Sequence, residues 1–197
     1  MDMIKEIELL FALHGRRSYD GLPRESVTIL EHALQCAQLA EWSGVDNGLV
    51  GAALLHDIGH LLASSKADPA GDAHEHRAAQ FLSDVFPATV VEPVRLHVLA
   101  KRYLVTTDSR YLSTLSPASV HSLRAQGGVL KRDECLRFAA QPYAEDAVVL
   151  RRWDDSAKVP GRRTPPLSYY LPLLRELQVS AGASSAPARR VVGSIGA

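Results

Sequence analysis

Leu54-Leu55-His56-Asp57-Ile58-Gly59-His60 is the stretch around which the other signals of the sequence are arranged. An imidazole and a carboxylate lie side by side after an apolar run, and a glycine and a second histidine follow. Neighbouring residues of a helix point about 100° apart, so they share a ligand only near a helix end. Imidazole and carboxylate together suit iron, manganese or zinc. The stretch therefore predicts that His56 and Asp57 anchor a two-metal site whose other ligands are spread along the chain.

The composition indicates one ordinary globular domain. The chain has 197 residues, of which 46% are hydrophobic and 22% are charged, and this is enough for a sizeable core. Basic and acidic residues number 22 each, so the formal net charge is zero. This balance argues against a broad surface for nucleic acid or for an anionic membrane. An anionic ligand would have to be held by a few well-placed cations.

The cysteines and the N-terminus bear on the cellular compartment. Cys36 and Cys135 are the two cysteines, and neither belongs to a Cys-x-x-Cys pair, so we expect two buried, reduced thiols. Charged residues among the first eight positions are not typical of a signal peptide. No apolar run is long enough to span a bilayer. A cytoplasmic protein is the prediction.

The spacing of apolar residues predicts an all-α fold without strands. We expect one domain over residues 1–179 and a disordered tail over 180–197, which is rich in Ala, Ser, Gly and Arg. Within the helix predicted over residues 143–155, Val148, Val149 and Trp153 should face inward. The other predicted helices cover residues 3–13, 25–42, a segment capped by Asp46 that ends near Asp57, a segment capped by Asp72 that stops at Pro87, and residues 90–102, 110–115, 117–125, 132–139 and 167–177.

Four of the eight histidines fall on or beside the apolar helices that should pack together, namely His32, His56, His74 and His97. Any one of them alone would more often be a surface residue or a hydrogen-bonded core residue than a metal ligand. Their order along the chain, completed by Asp154 beside a tryptophan, favours a shared metal centre. The remaining histidines outside the opening stretch, for which surface roles are expected, are His14, His76 and His121.

This pattern resembles the HD-domain superfamily of helical metalloproteins. Within the superfamily it is most similar to the mixed-valent diiron oxygenases, in particular to the branch that breaks carbon–phosphorus bonds of hydroxylated phosphonates. The resemblance runs from about residue 19 to residue 158. The stretches that carry it are Leu30-Glu31-His32-Ala33-Leu34-Gln35-Cys36-Ala37, Ala52 to His60, Lys101-Arg102-Tyr103-Leu104-Val105, Gln126-Gly127-Gly128 and Arg151-Arg152-Trp153-Asp154.

The resemblance implies a single HD-domain helical bundle with a dinuclear site between the core helices. The cofactors implied are two iron ions, Fe(II) and Fe(III). One iron would be held by His32, His56 and Asp154, and the other by His74 and His97, with Asp57 bridging the two ions.

The implied reaction is oxygen-dependent. A 1-hydroxy-2-aminoethylphosphonate, or its N-trimethylated analogue, would be split by dioxygen into phosphate and glycine or glycine betaine. Asp57, His60 and Lys101 are the residues expected to serve the chemistry. The partners expected are this small phosphonate and dioxygen, without nucleic acid or membrane, in a monomer or a weak homo-oligomer.

The substrate contacts follow from the same resemblance. His60 and Lys101 match positions that hold the phosphonate, and Lys101 lies one turn after His97 on the same helix face. Glu25, two turns before His32, matches a contact to the ammonium end. Tyr19 matches a tyrosine that takes an iron position until substrate arrives. The weaker phosphonate contacts are Gln126, Arg151 and Lys158.

Two other functions stay open at this point. An HD-domain phosphohydrolase would use a metal-bound hydroxide to attack the phosphorus of a nucleotide or phosphate ester. A degenerate module would only sense a phosphorylated ligand, although a sensor need not keep all six metal-ligand positions.

Overall fold

The computed structural model describes residues 2–19, 27–62 and 73–179, and this part of the chain is helical without a strand. A lone backbone bridge joins Ser18 to Thr28. The all-α prediction is therefore confirmed. In chain order the helices are α1 Met3–His14, α2 Ile29–Trp42, α3 Asn47–Leu55, α4 Gly59–Leu62, α5 His74–Leu82, α6 Ala88–Thr107, a 3-10 helix Tyr111–Thr114, α7 Pro117–Ala125, α8 Arg132–Ala139, α9 Ala144–Ser156 and α10 Leu167–Leu177.

Helix α3 is the centre of the bundle. Every one of its residues from Gly48 to Leu55 is buried, as expected for a helix that is apolar on all sides. It packs against α2, α6, α9 and α10. The side chain of Asp46 accepts a hydrogen bond from the Leu49 amide at 3.1 Å, so the predicted N-cap is confirmed. Helix α3 ends at Leu55, and His56 and Asp57 therefore lie just past a buried helix terminus.

The start of α2 differs from the prediction. We expected a helix from residue 25, but α2 begins at Ile29 because Thr28 and Glu31 form a capping box. The Glu31 carboxylate accepts from the Thr28 amide at 2.7 Å, and the Thr28 hydroxyl accepts from the Glu31 amide at 3.2 Å. Glu25 lies outside the described residues.

Helix α9 shows a second difference. Its buried face runs through Ala147, Leu150 and Asp154, at spacings of three and four. Trp153 is buried as predicted, and Val148 is half-buried, whereas Val149 is 38% exposed. The inward orientation predicted for Val149 is wrong because two adjacent valines cannot share one narrow helix face.

Other predictions concern the cysteines, the start of α5, the C-terminal tail and membrane spans. Cys36 and Cys135 are both buried and free of a disulfide, as expected. Helix α5 follows Ala73, and the predicted cap Asp72 lies outside the described residues, as does the tail over residues 180–197. None of the helices within the described ranges has the length and apolarity needed to cross a membrane.

Candidate metal centre

The two oxygens of the Asp57 carboxylate face two different pairs of histidines. Oδ2 lies 3.3 Å from Nε2 of His56 and 3.6 Å from Nε2 of His32. Oδ1 lies 3.1 Å from Nε2 of His74 and 3.6 Å from Nε2 of His97. Asp57 is 4% exposed and all four imidazoles are buried. The carboxylate is therefore placed between two sets of nitrogen donors, which is the geometry of a bridging ligand.

Five helices bring these side chains together. They can meet because α3 packs against α2, α6 and α9, while α6 packs against α5 and α9. The predicted ligands are distributed as His32 on α2, His56 and Asp57 after α3, His74 at the first position of α5, His97 within α6 and Asp154 on α9.

Backbone carbonyls orient three of the four imidazoles. In each case Nδ1 is the donor to the carbonyl oxygen, which leaves the lone pair on Nε2 free for a cation. This is the usual outer support of a metal-binding histidine. The Nδ1–oxygen distances are 2.8 Å from His32 to Ala157, 2.9 Å from His56 to Ala53 and 2.7 Å from His97 to Val94.

Gly59 allows the fourth histidine to approach. A Cβ at Gly59 would lie 2.0 Å from the backbone oxygen of His74 and 2.7 Å from its carbonyl carbon. Both clashing atoms belong to the backbone, so a side chain here would push α5 away from Asp57. The glycine of the opening stretch is thus needed where α4 and α5 meet.

Asp154 is held by cations on its own helix and in the segment just after it. It lies 3.3 Å from Nε2 of His32 through Oδ1, and Oδ2 forms an ion pair with Arg151. Lys158 Nζ is 3.5 Å from Oδ1. Arg151, which is 4% exposed, also pairs with Asp155 and donates from Nε to the Tyr111 hydroxyl at 3.2 Å. These contacts fix the carboxylate beside His32.

Electrostatics favour the metal-binding protonation state of both carboxylates and of His97. For His56, burial lowers the pKa, but Asp57 outweighs it and the pKa is raised. Burial opposes the ionisation of Asp57, but nearby His56 outweighs it and the pKa of Asp57 falls well below its usual value. Burial likewise opposes ionisation of Asp154, and Arg151 and Lys158 lower the pKa of that carboxyl. Burial and neighbouring His74 lower the pKa of His97 well below its usual value. Ionised carboxylates and a neutral imidazole are ligating forms.

The residues present fit a bound metal. Oδ2 of Asp57 is buried and accepts no hydrogen bond from the described residues. Buried carboxylate oxygens without donors are costly unless a cation satisfies them. Nε2 of His32 and Nε2 of His56 converge on this oxygen, and such a mixed nitrogen and oxygen set suits a divalent transition metal.

Tyr19 and His60 border this cluster. The Tyr19 ring stacks on His32 with centroids 3.9 Å apart, and its hydroxyl donates to Asp154 Oδ1 at 3.4 Å. Burial, followed by Asp154, raises the pKa of Tyr19 well above its usual value, so the phenol is neutral. His60 stacks on His74 at 4.0 Å and has its Nε2 atom 3.8 Å from Asp57 Oδ1.

A cavity of about 260 Å³ opens onto the cluster. Lys101 lines it, is 2% exposed and donates from Nζ to the Ser122 hydroxyl at 2.8 Å. Burial, with Arg151 nearby, lowers the pKa of Lys101 to about 8. Gln126 also lines the cavity, and its Oε1 is buried and has no hydrogen-bond partner among the residues that the structure describes. Cationic and neutral donors therefore surround the open side of the cluster.

The structure places most of the predicted site residues in one region. Tyr19, His60, Lys101 and Gln126 line the same cavity as Asp57, His74, His97 and Asp154. Of the side chains predicted to lie elsewhere, that of His76 is 67% exposed, and His121 is exposed. Glu25 is the one predicted contact that lies outside the described residues.

Ser119, Ser122 and Arg17 line the cavity but did not emerge from the sequence. The serines sit on α7 at spacings of three and then four before Gln126, so one helix face carries all three. That spacing was the available signal, but serine is too common for it to stand out. Arg17 lies two residues before Tyr19, in the segment between α1 and α2.

Comparison with known proteins adds independent information. The model of the HD domain family matches residues 29–154. The chain is 46% identical over 162 residues to hydroxymethylphosphonate dioxygenase of Gimesia maris, which covers 80% of this chain and 79% of that protein. It is 34% identical over 175 residues to [1-hydroxy-2-(trimethylamino)ethyl]phosphonate dioxygenase (glycine-betaine-forming) of Leisingera caerulea, with 87% and 89% coverage.

Proposed function

We propose that the protein is a non-haem diiron oxygenase that cleaves the carbon–phosphorus bond of a 1-hydroxyphosphonate. The chain belongs to the HD-domain family and to its phosphonate-dioxygenase branch. The substrates predicted from the sequence are 1-hydroxy-2-aminoethylphosphonate and its N-trimethylated analogue. The products are phosphate and glycine or glycine betaine. Dioxygen is the oxidant.

The observation that carries the proposal is the position of Asp57 between two histidine pairs. A mononuclear site would need only one oxygen of this carboxylate near nitrogen donors, yet each oxygen has its own pair within 3.6 Å. His32, His56 and Asp154 would hold one iron, and His74 and His97 the other. Bound there, the two irons supply the redox chemistry that couples reduction of dioxygen to oxidation of the hydroxyl-bearing carbon.

The reaction balances with one dioxygen per phosphonate. For a substrate HO–CHR–PO₃²⁻ the products are RCOO⁻, HPO₄²⁻ and one proton. The carbon–phosphorus bond breaks, the carbon is oxidised to a carboxylate, and both oxygen atoms of dioxygen appear in the products. No external reductant is required.

The polar residues of the cavity serve to hold the phosphonate. Lys101 is buried and charged below its lowered pKa, and His60 lies across the cavity beside His74. The hydroxyls of Ser119 and Ser122 and the amide of Gln126 add neutral donors. Charge-assisted hydrogen bonds of this kind bind an anion strongly in a secluded site. They also orient the carbon–phosphorus bond relative to the metal ligands.

The lining of the cavity indicates which group the substrate can carry at the end away from the phosphonate. Its described lining contains no carboxylate apart from Asp57 and Asp154, and its one aromatic side chain apart from the histidines is Tyr19. The Tyr19 ring is covered by His32, and Lys158 Nζ lies 5.4 Å from its centroid. A quaternary ammonium prefers a free aromatic face. This favours hydroxymethylphosphonate, which lacks an amine, as a second candidate substrate; it would yield formate and phosphate.

The experiment compares three phosphonates with and without oxygen. The iron-loaded protein is incubated with hydroxymethylphosphonate, 1-hydroxy-2-aminoethylphosphonate and the trimethylated analogue, and phosphate release is followed. The proposal expects release from at least one of them only when dioxygen is present. Oxygen-independent release from a simple phosphate ester, without turnover of any phosphonate, would instead establish the phosphohydrolase alternative.

Three properties expected from the sequence are still predictions. They are the cytoplasmic location, the monomeric or weakly oligomeric state, and the extent of the oxygenase domain over residues 1–179. Helix α10, Leu167–Leu177, packs on α3 and α1 and supports a domain that continues beyond the residues of the metal cluster.

A further inference from the structure

Cys36 lies beside the metal ligands although the ligand set described above does not include it. It follows His32 by four residues on α2, so both side chains project from the same helix face. Its Sγ atom is 3.7 Å from Nε2 of His32. Cys36 is fully buried, and burial in an apolar core alone would not require the sulfur to point at an imidazole nitrogen.

The sulfur shares its neighbourhood with two histidine donors. Nε2 of His32, Sγ of Cys36 and Nε2 of His56 all lie within 4.8 Å of one another, and the two nitrogens are 3.3 Å apart. Donor atoms at these separations can contact a single cation. Oδ2 of Asp57 lies within 3.6 Å of both nitrogens and accepts no hydrogen bond from the described residues. This buried oxygen, which has no hydrogen-bond partner among the described residues, therefore faces the two nitrogens that also lie beside the sulfur.

We propose that Cys36 is a further metal ligand, which completes with His32, His56 and Asp57 a site for a thiophilic divalent cation such as Zn²⁺. The inference rests on the proposed function in one respect, because this cation would take the place of one iron. Two imidazoles, one thiolate and one carboxylate form a four-coordinate set that suits zinc. On binding, the thiol proton is released and the sulfur–metal bond replaces the S–H bond, without any change of oxidation state.

The surroundings of Asp154 explain how one pocket serves two metals. Arg151 and Lys158 already neutralise that carboxylate, so a cation can be held by the other four donors without it. Iron, which accepts nitrogen and oxygen ligands, would use Asp154, whereas a softer cation would use the sulfur. The consequence is that zinc competes with iron at this half of the centre.

Cobalt(II) tests the sulfur ligand without reference to activity, because a cobalt–thiolate bond gives a charge-transfer absorption that nitrogen and oxygen ligands do not. The metal-free protein is titrated with Co²⁺ in the wild type and in the Cys36→Ser and Cys135→Ser variants. Cys135 is the matched control, since it is the other of the two cysteines and is buried on α8, outside the cluster. The band is expected in the wild type and in Cys135→Ser, and its loss is expected in Cys36→Ser.

Zinc binding gives the quantitative readout. Competition with a zinc chelator should show that the affinity for Zn²⁺ falls by at least about 10- to 100-fold in Cys36→Ser. That is the loss typical when a residue that only orients a metal ligand is removed, and loss of a ligand itself should cost no less. Affinity in Cys135→Ser should be unchanged. The affinity of each variant for Fe²⁺ should change little, because the sulfur is not expected to bind iron.

The proposal is overturned if the wild type lacks the cobalt–thiolate band, or if the band disappears in Cys135→Ser. Neither result depends on the folding of the Cys36 variant. Equal zinc affinity in the wild type and in a folded Cys36→Ser protein would also overturn it. Failure of the oxygenase proposal would appear separately, as absence of oxygen-dependent phosphate release from the iron-loaded wild type.

Discussion

Oδ1 of Asp57 lies 3.1 Å from Nε2 of His74, while Oδ2 of the same carboxylate faces His32 on α2 and His56 just after α3. Because one side chain serves both halves of the cluster, Asp57→Ala should lose both metals. Asp154→Ala is the matched comparison and should lose only the metal held with His32. Metal content after desalting, measured by elemental analysis, distinguishes them. A full equivalent of iron retained by Asp57→Ala would contradict the bridging role.

Gly59→Ala should weaken metal binding by His74 and His97. The new Cβ would lie 2.0 Å from the backbone oxygen of His74, and relieving such overpacking typically costs about 1–3 kcal/mol. The expected result is a lower melting temperature and loss of the metal held by His74 and His97. Gly51→Ala is the control, because its Cβ would meet the end of the Leu177 side chain at 2.9 Å, which can move. Equal metal content in the two variants would refute the packing argument.

Lys101→Ala should keep both metals and weaken substrate binding. The lysine contacts Ser122 and lines the cavity, and no described carboxylate of the metal cluster is paired with it within salt-bridge distance. Loss of a charge-assisted hydrogen bond of about 1.5–3 kcal/mol corresponds to a rise of about tenfold or more in KM for the phosphonate. Metal analysis and steady-state kinetics give both quantities. If Lys101→Ala strips iron, its assignment to the phosphonate is wrong.

Substrate binding should also weaken as pH rises through about 8. Burial lowers the pKa of Lys101 to about that value, so the ammonium is charged below it and neutral above it. Loss of the positive charge removes attraction to the phosphonate, and KM should rise on the alkaline side. In Lys101→Arg the guanidinium stays charged throughout, and this rise should disappear. A KM profile that is identical in wild type and Lys101→Arg would exclude Lys101 as its source.

The helices could be predicted well where caps and apolar spacing agree, as at Asp46 and along α7 and α8. The predicted start of α2 at residue 25 is wrong because Thr28 and Glu31 form a capping box inside a segment whose apolar spacing is typical of a continuous helix. The six predicted metal ligands are conspicuous in the sequence because histidine and aspartate are uncommon on apolar helices. The structure brings them together, as expected from a shared cation.

The cavity was harder to predict than the cluster. Ser119 and Ser122 become part of it only because α7 lies across from Lys101 on α6. Such a contact depends on tertiary packing and has no local signature. Cys36 illustrates the same limit, since the sequence indicates a buried thiol and only the coordinates show its sulfur 3.7 Å from His32.

Electron paramagnetic resonance of the iron-loaded, partially reduced protein tests the central claim most directly. If Asp57 bridges two irons, the wild type should show the signal of a coupled mixed-valent pair, with about two irons per chain by elemental analysis, and Asp57→Ala should lack it. A wild type that binds one iron and shows only the signal of an isolated ferric ion would contradict the account.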